Sequence, residues 1–285
     1  MKYPKNPGLF LAFGSAVAYT LGDTGVRLTV GELSVWGLVF IRGFLGVAGA
    51  ATAALLLRKK LWGANFRLLS LIGLSGFLCT SLMFSTIVRI PLYQAFVILY
   101  MYPIFSLILA ALINGEKISA GDSLRAFLAL IGCLLLVWPD EAAGLTLDIG
   151  HFLGLAASLC YSLSIVLTRR LGSGNSGLEP LFHYSLHCAL GAIPLALIFG
   201  QGLGLNLNLN SVAGLLVATL STMGQFLGYA ALRWLPAHTV GTIGTLEVAL
   251  GALLSWLFFH DPMTARAIFG GGLILGTALS IRPRD

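Results

Sequence analysis

The most constraining feature of this 285-residue chain is that its second half repeats the first, weakly but in order. The matching pairs follow one another with an offset that drifts by only three residues: Gly8 with Gly150, Tyr19 with Tyr161, Arg27 with Arg169, Pro91 with Pro236, and Glu116 with Asp261. Each half carries about five apolar stretches, and an odd number of membrane crossings inverts the second half relative to the first. The sequence therefore predicts two inverted five-helix repeats, over residues 1–139 and 149–285, joined by an outer linker at 140–148.

The composition predicts that these repeats lie in a lipid bilayer. Hydrophobic residues make up 57% of the chain and charged residues only 10%, whereas a soluble domain carries about a quarter charged residues. The apolar runs are continuous and lack the alternation of a β-barrel strand. We therefore predict an all-α polytopic membrane protein with ten transmembrane helices, each about 20 residues long. The predicted spans are residues 8–29, 34–57, 68–88, 91–113, 121–138, 149–170, 178–200, 211–232, 236–259 and 264–281.

The distribution of basic residues orients the predicted helices. With both termini in the cytoplasm, the inner loops and ends hold thirteen of the seventeen Lys and Arg residues. They are Lys2, Lys5, Arg58, Lys59, Lys60, Arg67, Lys117, Arg125, Arg169, Arg170, Arg233, Arg282 and Arg284. Because positive charge stays on the cytoplasmic side of a membrane, we predict an N-in, C-in, multi-pass protein of the inner (cytoplasmic) membrane. The net charge of +6 thus orients the chain in the lipid bilayer and predicts no nucleic-acid partner.

Three charged side chains fall inside the predicted spans, where they are costly and usually face a cavity or a partner. At about 1.5 Å of rise per residue, Arg42 lies about 12 Å from the outer end of its span, and Glu247 about 17 Å from the inner end of its own. Asp23 lies in the outer third of the first span. One interpretation is a substrate site with both signs of charge, in which Arg42 binds a carboxylate or phosphate. Glu247 or Asp23 would then bind an amine or a proton. The other interpretation is a buried ion pair that fixes helix packing.

Polar residues on the fourth and ninth spans favour a cavity lining. Tyr93 and Tyr100 lie seven residues apart on one face of the fourth span, and the repeat aligns His238 with Tyr93. Tyrosine hydroxyls deep in a helix need polar partners, so this face suits an amphipathic cavity, with ordinary helix packing as the alternative. Gln225 on the eighth span is a further candidate for the same lining.

The seventh span carries a second polar face. Glu179, His183 and His187 recur every four residues, a spacing that suits a transition-metal site or a proton relay, and His187 aligns with Arg42 in the repeat. Glu179 next to Pro180, however, is typical of a helix start. A cavity role for His187 and hydrogen-bonded packing are therefore both preferred over a metal site. With no nucleotide-binding loop or dinucleotide fingerprint, we predict neither a metal nor a cofactor.

One string suggests an enzyme. Residues 73–76 read G-L-S-G, which is similar to the sequence around the serine of rhomboid-type intramembrane proteases. Such a protease also needs a histidine on a facing helix, and its fold has fewer spans and no five-plus-five repeat. Small residues in a tightly packed helix explain the string better. We therefore predict that the chain is not an enzyme, and an intramembrane serine protease using Ser75 is the alternative of another class.

Four short strings, taken in order, resemble one family. They are F-I-R-G-F at 40–44, N-G-E-K-I at 114–118, G-Y-A-A-L-R at 228–233 and T-L-E-V at 245–248. Together with the repeat, they resemble the ten-helix EamA-type members of the drug/metabolite transporter superfamily over essentially the whole chain. The sequence departs from that pattern at Val248, where proline is common, and at Asp261, where glutamate is common.

The resemblance implies a secondary transporter, most often an exporter of amino acids or other small polar metabolites, working by alternating access through a central cavity. We expect Arg42 to bind the anionic end of a zwitterionic substrate. Glu247, with Asp23 as second choice, is expected to bind the cationic end or a coupled proton. The same three residues are also similar to the branch that carries S-adenosylmethionine, and a cationic drug is a further alternative. Glu116 and Asp261 end helices and are expected to be structural.

Overall fold

The regular structure of this chain is helical throughout the part that the computed structural model describes. That part comprises residues 7–26, 34–63, 65–87, 89–90, 98–137, 148–172, 176–200, 202–203, 209–259 and 264–281. The helices within it are α1 (Pro7–Val26), α2 (Val35–Leu56), α3 (Phe66–Ile87), α4 (Tyr102–Asn114), α5 (Ala120–Val137), α6 (Ile149–Arg170), α7 (Leu178–Ile198), α8 (Leu209–Ala231), α9 (Ala237–Gly244), α10 (Leu246–Phe259) and α11 (Ala265–Leu279).

Each predicted span contains at least one of these helices, and the prediction of an all-α polytopic membrane protein is confirmed. Among the described residues, five helical segments are long and apolar enough to cross a membrane, judged by length and composition. They are Trp36–Leu56, Phe66–Met83, Ile149–Arg170, Leu178–Ile198 and Ala237–Leu254. Apolar side chains cover the outside of these helices, as the exposed Leu55, Leu159 and Leu197 illustrate. A bilayer solvates such a surface, which water would not.

The helices group into two compact units. Unit 1 draws on Met1–Phe77 and Leu167–Trp234, and unit 2 on Leu78–Val166 and Leu235–Asp285. Neither unit coincides with one half of the sequence, since each takes helices from both halves, and α3 and α6 contribute to both units. The tertiary contacts of this chain therefore join helices that are far apart in sequence.

In unit 1, α1 packs along α8, and α2 packs along α7. Helices in lipid approach closely where side chains are small, because burying an apolar side chain gains little when the surrounding lipid is equally apolar. A Cβ added to Gly43 on α2 would lie 2.5 Å from the backbone nitrogen of Ala189 and 2.8 Å from the carbonyl oxygen of Ser185, both on α7. A Cβ added to Gly224 on α8 would lie 2.8 Å from the ring of Tyr19 on α1. Glycine thus sets the spacing of both helix pairs.

In unit 2, α5 packs along α11, and α4 packs along α9. A Cβ added to Gly132 on α5 would lie 2.8 Å from the carbonyl oxygen of Gly270 on α11, so glycine again brings two helices together. The α4–α9 pair is joined by a hydrogen bond, since the Tyr102 hydroxyl donates to the carbonyl of Gly241 at 2.9 Å. The pair is thus fixed by a polar contact as well as by packing.

The fourth and ninth spans, predicted as continuous helices, are both interrupted. The fourth is broken at Tyr100 and Met101, before α4 begins, and the ninth is broken at Thr245, between α9 and α10. Proline in the first turn of α4 starts a helix readily because it needs no amide donor there. The Thr245 hydroxyl donates to the carbonyl of Thr242 at 2.7 Å, which competes with the backbone ladder. At the repeat offset of Pro91 to Pro236, Tyr100 corresponds to Thr245, so both breaks fall at one position of the repeat.

We expect Gly43→Ala to lower the thermal stability of the protein. The added methyl group meets backbone atoms of α7, which cannot rotate away, so the two helices must separate. Overpacking of this kind costs about 1–3 kcal/mol, measured as a drop in the thermal midpoint of the purified protein in nanodiscs. Gly49→Ala on the same helix is the matched control, because no atom lies within 4 Å of its added Cβ and alanine favours a helix over glycine. Equal midpoints for the two variants would contradict the close approach of α2 and α7.

Candidate substrate-binding site

Unit 1 brings together two of the predicted site residues, Arg42 on α2 and Gln225 on α8, with Tyr19 on α1 between them. The Nη2 atom of Arg42 donates to the Tyr19 hydroxyl oxygen at 3.1 Å and to Gln225 Oε1 at 3.3 Å. The Tyr19 hydroxyl in turn donates to Gln225 Oε1 by a short hydrogen bond. Gln225 is 5% exposed, while Arg42 and Tyr19 are half-buried. Three helices thus supply one polar cluster.

Two aromatic rings lie beside the Arg42 guanidinium. Its Cζ atom lies 5.4 Å from the ring centroid of Tyr19 and 5.6 Å from that of Tyr184 on α7. A cation at this distance from an aromatic face is attracted to the negative charge of the ring. The repeat aligns His187 on α7 with Arg42. The ring that contacts the guanidinium belongs to Tyr184, one helical turn earlier.

Close packing of α1 on α8 explains why Tyr19 reaches Gln225. Ser15, one turn before Tyr19, donates its hydroxyl to the carbonyl of Gly224 at 2.7 Å. Gly224 has no side chain, so the Tyr19 ring lies directly against α8. Gln225 follows in sequence and meets the tyrosine hydroxyl. Small residues on both helices therefore determine the position of the polar group that holds Arg42.

This arrangement can orient a cation toward a ligand. Tyr19 and Gln225 supply oxygen acceptors, and the two tyrosine rings lie beside the guanidinium, so these contacts fix its direction. An arginine fork has five N–H donors in one plane, and the two contacts described above come from Nη2 alone. A guanidinium fixed in this way is suited to bidentate recognition of a carboxylate or a phosphate.

The acidic candidates are described only in part. Glu247 belongs to unit 2, where it is half-buried in the first turn of α10, directly after the Thr245 break. A carboxylate in the first turn of a helix is stabilised by the positive end of the helix dipole. Asp23 lies on α1, but its side chain is outside the described residues, and so is the whole of Tyr93.

Tyr100 lies in a cluster of tyrosines at the break in the fourth span. It is buried, and its ring centroid is 6.1 Å from that of Tyr102. The Tyr102 ring meets Tyr161 edge to face at 4.8 Å, and the Tyr102 carbonyl accepts a hydrogen bond from Ser162 at 2.9 Å. Tyr100 therefore packs within unit 2 beside the residues that begin α4.

The two histidines of α7 interact with their own helix and with aromatic rings. His187 Nδ1 lies 2.7 Å from the carbonyl oxygen of His183, one turn earlier, and the buried His183 ring contacts Trp62 edge to face at 5.4 Å between centroids. Glu179 accepts hydrogen bonds from the backbone and hydroxyl of Ser176 and so caps the start of α7. The described residues contain no group of three His, Cys, Asp or Glu that could hold a metal ion.

His238, predicted as a cavity residue, is placed between two carboxylates in unit 2. Its Nδ1 lies 3.5 Å from Glu116 Oε2, and its Nε2 lies 3.7 Å from Asp122 Oδ2. Asp122 also accepts a hydrogen bond from Arg125 Nη1 at 2.9 Å. Glu116 is predicted from the sequence to end a helix, and the S-x-x-D spacing of Ser119 and Asp122 is typical of a helix cap. Neither local signal predicts that both carboxylates meet a histidine more than 100 residues away.

The hydroxyl of Ser75 is bonded within its own helix. Its Oγ donates to the carbonyl of Ile72 at 3.0 Å. Gly73 is the residue of this string that faces α7, since a Cβ added there would lie 2.5 Å from His187 Nδ1. Two residues along a helix differ by about 200° in direction, so Ser75 points away from that histidine. The geometry thus fits the interpretation of G-L-S-G as close-packed small residues.

We expect Tyr19→Phe to destabilise the protein by about 1–2 kcal/mol, because it removes a hydroxyl that bonds both Arg42 and Gln225 while keeping the ring. The measurement is a double-mutant cycle of thermal midpoints with Gln225→Leu. The cost of the double variant should differ from the sum of the two single variants, since the two side chains bond each other and share Arg42 as a donor. Strict additivity would show that the two side chains do not interact.

Comparison with known proteins is consistent with a transporter. A family model described as the EamA-like transporter family matches this chain over residues 6–138 and 148–282. The pseudopaline exporter CntI of two Pseudomonas aeruginosa strains is 24% identical over 278 residues, which cover 96% of this chain and 95% of that protein. A protein of Archaeoglobus fulgidus named as a transporter is 26% identical over 213 residues, covering 74% and 75% of the two chains.

The fold has also been seen before. A solved crystal structure superposes with a TM-score of 0.83 over 95% of this chain and 94% of its own, at 16% sequence identity, a likeness that concerns the fold alone. The family model, by contrast, matches nearly the whole sequence in two consecutive segments. The chain therefore belongs to the EamA-like transporter family, and it is a multi-pass membrane transporter built from two five-helix repeats.

Proposed function

We propose that this transporter exports a small polar metabolite, an amino acid or a similar zwitterion, across the inner membrane by alternating access. The direction is supported by the name of the Pseudomonas relative, which is that of an exporter. The orientation that we propose, with both termini and the basic loops in the cytoplasm, follows from the distribution of Lys and Arg residues. Repeat boundaries near 139 and 149 belong to the same proposal.

The single observation that supports the proposed substrate class is the arrangement of side chains around Arg42. A guanidinium at membrane depth costs free energy and usually marks a functional site. Tyr19 and Gln225 fix its direction, and the rings of Tyr19 and Tyr184 lie against it. A guanidinium held in a fixed direction can bind the carboxylate of a substrate through its planar fork.

The cationic end of the substrate is assigned to an acidic residue. Glu247 is the first choice, because it is half-buried next to a helix break. Substrate and ion sites of many carriers are formed at such discontinuous helices. Asp23 is the second choice. The remaining residues proposed for the lining are Tyr93, Tyr100, His187, His238 and Gln225.

The test is uptake of a metabolite panel into proteoliposomes by the wild type, Arg42→Ala and Glu247→Gln. A lost charge-assisted contact of about 1.5–3 kcal/mol predicts a fall in kcat/KM of roughly 10- to 100-fold. Arg42→Lys keeps the charge but not the planar fork, so we expect an intermediate rate. The control is Arg89→Ala, because this exposed arginine contacts the Ser85 carbonyl of its own helix.

The result discriminates between substrate classes. Transport of an amino acid that requires both Arg42 and Glu247 supports the zwitterion. Transport of a cationic drug that is unaffected in Arg42→Ala would favour that alternative, and S-adenosylmethionine belongs in the panel for the same reason. Wild-type rates in both variants for every transported compound would overturn the assignment of Arg42 and Glu247.

The proposed orientation in the membrane can be tested with a fluorescent reporter placed at two positions of the chain. A reporter that fluoresces only in the cytoplasm, fused after Asp285, should be bright in cells. The same reporter inserted in the 140–148 linker should be dark, because an odd number of crossings separates the two positions. The reverse pattern would show that the basic loops face outward.

A further inference from the structure

The connection between α2 and α3 concentrates positive charge at one end of unit 1. Its basic residues are Arg58, Lys59 and Lys60, followed by Arg67 in the first turn of α3, and all four are exposed. Within the described part of the chain, none of these four side chains makes an ion pair or donates a hydrogen bond. We call residues 58–62, 66 and 67 the basic turn. Its charge is available to an anion outside the protein.

Other helix ends of unit 1 meet beside the basic turn. The Arg169 guanidinium at the end of α6 donates to the carbonyls of Leu232 and Arg233 at 2.8 and 3.1 Å, so the ends of α6 and α8 lie together. The start of α7 joins them through the ring of Trp62 in the basic turn, whose centroid lies 5.5 Å from that of Phe182. Four helix ends and the start of α3 therefore share one end of the unit.

The charge at this end is strongly one-sided. The stretches 57–67, 169–179 and 231–236 hold seven Lys and Arg residues and a single acid, Glu179. That acid caps the start of α7. The connections at the other end of the same helices, 23–34 and 199–210, hold one basic and two acidic residues. Clustered charges of one sign raise the local concentration of ions of the other sign, so the basic end of unit 1 attracts anions.

The backbone holds the first cations of the basic turn in a tight cap of α2. The Lys59 amide donates to the Ala54 carbonyl at 2.8 Å, and the Arg58 amide donates to that of Leu55 at 3.3 Å. These are the two hydrogen bonds of a Schellman motif, in which the residue after the helix is left-handed and usually glycine. Arg58 has a φ of 51°, so arginine occupies a position that glycine fills with less strain. Such an outlier favours a role for the charged side chain.

Aromatic contacts fix the next part of the basic turn. The Trp62 ring meets His183 on α7 edge to face at 5.4 Å and lies 5.9 Å from the ring of Phe66. One side of the indole is thus packed, yet Trp62 remains 58% exposed. Exposed tryptophan is enriched where a membrane meets water, because its ring is apolar and its N–H is polar. Trp62 therefore favours a position of the basic turn at the level of the lipid headgroups.

An apolar surface leads directly into the basic turn. Leu55, Leu56 and Leu57 at the end of α2 are all largely exposed, and Arg58 follows them without a gap. A phospholipid presents the same order of groups, with acyl chains next to a phosphate. A soluble anion would match the cations alone and leave the leucines uncovered. The charge and the apolar surface together select an anionic lipid as the occupant.

We propose that the basic turn binds the headgroup phosphate of an anionic phospholipid, whose acyl chains lie along the exposed leucines at the end of α2. Lys59, Lys60 and Arg58 supply the positive charge, and Trp62 holds the turn against α7. Orientation of the chain in the membrane requires only the number of basic residues on one side. A lipid site also requires that they adjoin an apolar surface. Lipid binding is measured without a transported substrate, so this proposal holds or fails independently of the proposed function.

The direct test is photo-cross-linking of the protein in nanodiscs that contain equal amounts of phosphatidylglycerol and phosphatidylcholine. A p-benzoylphenylalanine in place of the exposed Phe66 keeps an aromatic ring and reaches the lipid beside the basic turn. Mass spectrometry of the cross-linked peptide identifies the lipid that is attached. We expect phosphatidylglycerol to exceed phosphatidylcholine clearly. Equal yields of the two adducts would overturn the proposal.

Single substitutions test which charges act. Lys60→Gln should lower the ratio of phosphatidylglycerol to phosphatidylcholine adducts about 5-fold, which is the attraction of one basic side chain near a membrane surface. Lys59→Gln should act in the same way, while Lys60→Arg should keep the ratio because it keeps the charge. The control is Arg89→Gln, which removes one exposed charge from unit 2. An equal fall in this control would show that only the total charge matters, against the proposal.

A competition experiment separates a lipid from a soluble anion. Inorganic phosphate added in excess, at constant ionic strength, should leave the adduct ratio unchanged, because it has no acyl chains to cover the leucines. Constant ionic strength is needed because salt screens charges on the surface. Loss of the phosphatidylglycerol adduct in the presence of phosphate would assign the basic turn to a soluble anion and refute the lipid site.

A stability measurement needs no cross-linker. A ligand that binds the native state raises its stability, so phosphatidylglycerol in place of part of the phosphatidylcholine should raise the thermal midpoint of the wild type. The variant that combines Lys59→Gln and Lys60→Gln should show a smaller rise, and Arg89→Gln should show the full rise. The same rise in the wild type and in the doubly substituted protein would contradict lipid binding by the basic turn.

Discussion

Close approach of helices at small residues is the constraint on which the rest of this structure depends. In lipid, burying a leucine against another helix gains little, so van der Waals contact between backbones and interhelical hydrogen bonds must hold the bundle together. Gly43 lets α2 lie against α7, Gly224 lets α1 lie against α8, and Gly132 lets α5 lie against α11. Each of these contacts joins the first half of the sequence to the second, so the two compact units form across the repeats.

The polar interior follows from that packing. Tyr19 reaches Gln225 because Gly224 leaves room for its ring, and Arg42 then finds two oxygen acceptors and two aromatic faces at distances fixed by three helix pairs. A guanidinium in a membrane needs such partners. These partners fix the direction of the guanidinium. The contacts that pack these helices together thus also place the polar and aromatic groups around Arg42.

The repeat and its departures have different roles. The breaks at Tyr100 and Thr245 occupy one position of the repeat, so they are part of the duplicated architecture. Arg42, by contrast, is not duplicated. It corresponds to His187, which bonds to its own helix, and His238 corresponds to Tyr93. The duplication therefore supplies a scaffold, and the residues that differ between its halves include the arginine of the polar cluster.

Much of the fold could be predicted from sequence, because membrane insertion is governed by local hydrophobicity that can be read along the chain. Nine of the ten spans lie within a few residues of the helices, while the start of the fourth lies outside the described residues. Arg42 stands out because a charge in an apolar run is conspicuous. The breaks in two spans were missed, since a threonine hydroxyl that competes with the backbone leaves no clear pattern. Glu116 and Asp122 were missed as well, because each has a plausible local role at a helix end. What the sequence by itself determined is the helical membrane architecture, its repeat and the identity of the buried charges. Only the tertiary structure decided which side chains meet, because contacts such as that of Arg42 with Gln225 join residues that are far apart in the sequence.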